Sequence, residues 1–145
     1  MKQALQYIKN IQSGKEVACE FVKLAVARHL EDLKKDGDDW GFVFSEKHAQ
    51  KAINFFRVLK HTSGKYAGKP FNLQDNQAFK LMVIFGWRQK ENLNRRFTQV
   101  YIEEARKGGK SQWAAGIELF CGLCEGEESA EVYTAATTRD QADMV

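Results

Sequence analysis

The chain has 145 residues, 43% of them hydrophobic and 28% charged, which fits one ordinary globular domain with enough material for a real core. Its net charge of +3, from 22 basic and 19 acidic side chains, is too small to announce a nucleic-acid binder by composition. No apolar run approaches the roughly 18 residues that span a bilayer, and the opening MKQALQYIKNIQ lacks the unbroken apolar stretch of a secretion signal, so no membrane partner is expected.

In chain order, Ala4, Leu5, Ile8 and Ile11 share one face of a first helix over residues 1–12. Ser13 and Glu16 have the spacing of a capping box, which predicts a second helix bearing Val17, Phe21, Leu24, Leu30 and Leu33 inward and stopping at Lys34-Lys35-Asp36-Gly37. Trp40 to Phe44 is a short apolar link. Ser45 caps a third helix to about His61, with Ala49, Ile53, Phe56 and Leu59 inward, and Gly64 ends it. Residues 65–73 hold glycines, the single proline Pro70 and Phe71, and read as extended loop. A fourth helix runs from about Gln74 to Phe85, and Lys90 to Asn94 make a turn.

The period then changes. Phe97 to Glu103 alternates and is rich in β-formers, so it reads as a strand. A glycine loop follows, then a helix from Lys110 to about Cys124, a turn at 125–129, and a second strand over Ala130 to Ala136. The expected fold is α/β: a helical region at 1–63, then at 64–145 a strand, phosphate loop, helix and strand, the front of a nucleotide-binding sheet.

Three cysteines, Cys19, Cys121 and Cys124, give no disulfide framework. A zinc site needs a second pair beside Cys121-Gly-Leu-Cys124, and a redox pair prefers a helix N-terminus, so packing in a reducing cytoplasm is the reading. His29, His48 and His61 lack metal-ligand spacing. The Lys34-Lys35 and Arg95-Arg96 pairs read as solvated.

Gly109-Lys110-Ser111 carries the chemistry. A phosphate loop needs a sharp turn that gathers backbone N–H groups, a helix starting there, a lysine for the phosphates and a hydroxyl for magnesium. Gly108 and Gly109 can take the turn, and Lys110 and Ser111 open the helix. A cation at a helix N-terminus is disfavoured by a few tenths to about 1 kcal/mol, a mismatch that a bound anion removes. Ser111 suits either a magnesium ligand or a helix cap. Two further glycine–lysine pairs, Gly14-Lys15 and Gly64-Lys65, follow helices and lack the hydroxyl, so they read as helix punctuation.

The glycine that usually opens such a loop is absent. Instead, Ala105-Arg106-Lys107-Gly108-Gly109-Lys110-Ser111 resembles the deviant phosphate loop of the large terminase subunits of tailed bacteriophages. Ser13 to Cys19 through Leu30, Phe55-Phe56 through His61, Gly68 to Leu73, Phe85-Gly86-Trp87, Arg95-Arg96-Phe97 and Ala135 to Ala142 carry the same resemblance. It implies the front of an ATPase that uses ATP and Mg2+ to drive double-stranded DNA into a capsid in the host cytoplasm, with the small terminase subunit and the portal protein as further partners. It also implies that Arg106 approaches the phosphates, and that Gln77, after the loop at Phe71, reads adenine with its donor and acceptor together. Thr137, Thr138 and Arg139 follow the second strand and either sense phosphate, touch DNA or cap the next helix.

An apolar strand ending in Asp-Glu, which the family uses to help hold magnesium, is not found after Ser111. The chain is therefore expected to be a truncated piece that does not turn over ATP, with sheet edges covered by its helices or by self-association. Two alternatives stand: a helical assembly module with a non-functional loop, and a fragment of a helicase-like ATPase.

Overall fold

The computed structural model describes residues 1–35, 37, 39–62, 64–105, 108–126 and 129–135. The elements are α1 (Lys2–Gln12), α2 (Glu20–Asp32), β1 (Phe42–Phe44), α3 (Glu46–Phe56), α4 (Asp75–Gly86), β2 (Trp87–Gln89) and α5 (Lys110–Leu123), with one 3-10 turn at Gly64–Tyr66. They fall into two compact units, Met1–Asn54 with Asn72–Val100 and Phe55–Phe71 with Tyr101–Val145. None of the described helices is long and apolar enough to cross a membrane.

The first unit is built around α4. From Gln77 to Gly86 every α4 residue except Lys80 is buried, as expected of a helix that is apolar all round. Against it α1 lays Ala4, Tyr7, Ile8 and Ile11, with the Tyr7 and Phe79 rings 5.5 Å apart. Leu5, expected inward, is half exposed, and Tyr7 takes its place in the core.

α2 departs further from expectation. Ser13 closes α1 instead of opening α2, its hydroxyl bonding back to the Asn10 carbonyl, and the helix starts at Glu20. Val17 and Phe21 stand 100% and 83% exposed, while Val26, His29 and Asp32 point inward. The buried face is polar at two of three positions because it has partners. The Trp87 indole N–H donates to His29 Nδ1 at 3.1 Å, and Asp32 accepts from Arg96 and Lys35, each at 2.7 Å.

The link at 40–44 is in part a strand. β1 pairs antiparallel with β2, matching Phe42 with Gln89, Val43 with Arg88 and Phe44 with Trp87. The chain enters β2 directly from the end of α4, where a Cβ on Gly86 would collide with the Phe44 ring. Arg96, expected in solvent, is instead nested: its guanidinium lies 4.7–5.3 Å from the centroids of Trp40, Phe42, Trp87 and Phe97 while it pairs with Asp32. Flat, weakly hydrated and fully delocalised, an arginine can be buried this way where a lysine could not.

In the second unit α5 packs its backbone against the end of α3. A Cβ on Gly116 would sit 2.5 and 2.7 Å from Phe56 ring atoms and 3.1 Å from Leu59. Phe55 meets Phe120 at 5.5 Å, and Phe56 meets Phe71 at 5.7 Å. Residues 59–71 fold back on themselves. Phe71 N–H donates to the Leu59 carbonyl, His61 N–H to Lys69 and Gly68 N–H to His61, with Lys60 and Pro70 bridged.

Neither segment expected as a strand around the loop joins a ladder among the described residues: 97–103 has none, nor has 130–135. The second lies along α5, where Thr134 Oγ1 donates to Glu118 Oε2 at 2.9 Å and Val132 packs at Gly122. Alternating β-formers supply the propensity, but a strand exists only through its partner. The sheet present is the antiparallel β1–β2 pair. The fold is a helical α/β arrangement, in agreement with the class if not with the strand–loop–helix unit.

Candidate phosphate-binding site

The site begins with a turn. Gly108 N–H donates to the Ala105 carbonyl at 3.3 Å, and Gly109 follows with φ 76° and ψ 15°, a left-handed conformation that glycine takes without strain. Gly109 is the N-cap of α5, and the first helical bond runs from Trp113 N–H to its carbonyl at 3.2 Å. The amides of Gly109, Lys110, Ser111 and Gln112 therefore have no acceptor inside the helix.

Among the described residues no side-chain cap takes the place of that acceptor; a carboxylate stands near the turn on Glu104, whose Oε2 would lie 3.4 Å from a Cβ on Gly108. Gly109 has no side chain to cap with, and the first turn of α5 holds no acid. By contrast α2, α3 and α4 open on Glu20, Glu46 and Asp75, which complement the helix dipole. α1 also opens on a lysine, Lys2, but no glycine turn leads into it. Lys110 and Ser111 are exposed, and their side chains make no hydrogen bond or ion pair among the described residues. Ser111 sits at the second helical position, two residues past the N-cap Gly109, so its hydroxyl is not the cap of α5.

The other expected site residues are placed as follows. Arg106 lies outside the described residues, as do Thr137, Thr138 and Arg139. Phe71 is in the same unit as the loop, buried between Phe56 and His61, whose ring lies 5.0 Å from its own. Gln77 is in the first unit and is buried. Its Oε1 accepts from Gln74 N–H at 3.0 Å, and its own N–H bonds the Gln74 side chain, a capping box that starts α4.

One bond of the site went unread in the sequence. His61 Nδ1 lies 2.8 Å from Gln112 Oε1, joining the turn at 59–71 to the first turn of α5. The two are 51 positions apart, and no local pattern signals such a bond. Among the described residues no group of His, Cys, Asp and Glu could hold a metal ion. Cys121, in the last turn of α5, and Cys124, its C-cap, are half-buried and form no disulfide among the described residues, and Cys19 is exposed.

With this geometry in view, one comparison carries weight. Residues 75–145 match the family described as the terminase large subunit, ATPase domain. The resemblance drawn from the loop and its neighbours is thus shown at the level of the family for this part of the chain. The matched segment takes in α4, β2, the glycine turn and α5, so Gln77, Gly108, Gly109, Lys110 and Ser111 all lie within it, while Phe71 and His61 precede it. Searches of curated proteins and of solved structures gave no match.

Proposed function

We propose that the chain binds the phosphates of ATP at the N-terminus of α5, through a deviant phosphate loop, as part of the motor that packages double-stranded DNA into phage capsids. The observation that carries this reading is a helix start with a left-handed glycine, a lysine at the first position, no side-chain cap and no acid in its first turn. Such a start is disfavoured by itself and stabilised by an anion. The family match over residues 75–145 supports the nucleotide as that anion.

In this reading the amides of Gly109, Lys110 and Ser111 donate to phosphate oxygens, and the Lys110 ammonium adds charge at the terminal phosphates. The Ser111 hydroxyl is free to ligate Mg2+, which would screen the phosphate charge. Arg106 enters by resemblance as a second phosphate contact. Gln77 enters by resemblance alone as the adenine contact, its Oε1 being engaged in the capping box of α4. Phe71 supports the turn that carries His61. The host cytoplasm is the place of action, with double-stranded DNA, the small terminase subunit and the portal protein as partners.

Calorimetric titration of Mg-ATP into the chain and into Lys110→Ala tests this. A charge-assisted contact to phosphate contributes about 1.5–3 kcal/mol, so the variant should bind roughly ten- to a hundredfold more weakly. Equal or absent binding by both proteins would instead favour a helical assembly module with a non-functional loop.

A further inference from the structure

The turn at 59–71 carries more charge than its fold requires. Between Glu46 and Asp75 the sequence has no acid, while Arg57, Lys60, Lys65 and Lys69 are all cationic. None of these four makes an ion pair among the described residues. The backbone that presents them is fixed: Lys60 bridges Pro70, His61 N–H reaches Lys69 at 2.9 Å, Gly68 N–H reaches His61 at 2.8 Å, and Phe71 N–H reaches Leu59 at 2.9 Å. Side chains pin it too, through His61 against Phe71 and Gln112.

From this base the tip stands in solvent, with residues 64–70 all exposed. Lys65 and Lys69 both lie over the Tyr66 ring, their ammonium groups 4.9 and 5.7 Å from its centroid. The ring thus holds two like charges on one knuckle, which costs repulsion unless a polyanion is close.

We propose that this basic hairpin, Lys60 to Pro70, is a contact for the phosphate backbone of duplex DNA. Lysine is a compact point charge suited to phosphate without base readout. No Leu, Ile, Val or Phe occurs between Lys60 and Pro70 to enter a bilayer. The single exposed ring is taken up by lysines, so the hairpin offers no run of aromatics on which unpaired bases could stack. The contact is sequence-independent and strongly salt-dependent. It rests on the hairpin's own charge and geometry, not on the phosphate-loop reading.

The experiment is fluorescence anisotropy of a labelled duplex of about 30 base pairs with the full chain, without nucleotide, between about 50 and 200 mM salt. Replacing Lys60, Lys65 and Lys69 together by Gln should flatten the log–log salt slope by about 2.7, so that wild type loses about 40-fold more affinity than the variant across that range. Replacing the same three by Arg should preserve affinity and slope. As a control for net charge, Lys2, Lys9 and Lys15, exposed in the first unit, are changed to Gln; either triple change takes the net charge from +3 to 0. An unchanged slope in that control supports a localised contact. An equal fall in both triple variants, no duplex binding by wild type, or binding confined to single strands or to anionic vesicles would each overturn the proposal. Because no nucleotide is present, none of these results depends on whether Lys110 binds ATP.

Discussion

Acid should destabilise the first unit through one residue, His29. The ring is 2% exposed and packed by Phe44, Phe79 and Trp87 at centroid distances of 5.2, 6.3 and 5.9 Å. An indole N–H can only donate, so His29 Nδ1, which it meets, must be the unprotonated acceptor. Burial lowers the pKa of this imidazole from 6.5 to about 4, against a smaller upward pull from the Asp32 charge. The folded pKa lies below the unfolded one, so between these values the unfolded chain binds more protons than the folded one. Stability is therefore full above pH 6.5 and falls as pH drops toward 4. Integrated from pH 7.5 to 5.0, the loss is about 2 kcal/mol. Asp32 adds its share at lower pH. Burial raises its carboxyl, but hydrogen bonds from Lys35 and Arg96 and their charges outweigh burial and leave it below its ordinary value of 3.8, so this contribution is lost only under stronger acid. Urea unfolding followed by circular dichroism at the two pH values measures the effect. His29→Gln, which keeps an acceptor for Trp87 and cannot titrate, should remove most of the pH dependence. Stability that is flat from pH 7.5 to 5.0, or the same slope in wild type and His29→Gln, would refute the argument.

Two further substitutions probe the second unit. Gly116→Ala forces a methyl to within 2.5 Å of the buried Phe56 ring, and overpacking of this kind costs about 1–3 kcal/mol, read as a lower urea midpoint with an unchanged slope. His61→Phe keeps a ring beside Phe71 and Tyr66 but removes the bond to Gln112; it should cost about 1 kcal/mol and speed amide exchange at Trp113 to Ala115, whose hydrogens bond the carbonyls of the loop. His61→Asn, which can again reach Gln112, should restore slow exchange, and Phe and wild type exchanging alike would show that the loop is held by other means.

The pattern of success and failure in the sequence follows from what periodicity measures. It located α1 and the start of α3 through apolar residues at helical spacing, although α3 stops at Phe56 and not near His61; α4 is apolar nearly all round, and the helix after Gly109 begins at the residue expected, Lys110. It misjudged α2 because it ranks hydrophobicity and not burial. Asp32 and His29 are buried because Arg96 and Trp87, more than 50 positions away, complete them, whereas Val17 and Phe21 find no such cover in the unit. The same remoteness hid β1 and β2, two three-residue strands paired across 40 positions and more, and it hid the bond from His61 to Gln112. The alternating segments at 97–103 and 130–136 erred the other way, since their propensity is real but no described segment supplies a ladder. The loop was legible for a different reason. Secondary-structure propensity alone favours an acid where Lys110 stands and a Ser, Thr, Asp or Asn where Gly109 stands. α1 also opens on a lysine without a side-chain cap or an acid, so that pattern alone does not call for a ligand. What sets the start of α5 apart is the left-handed glycine turn leading into it, and the anion we propose there is a partner that its amides, lysine and hydroxyl could share.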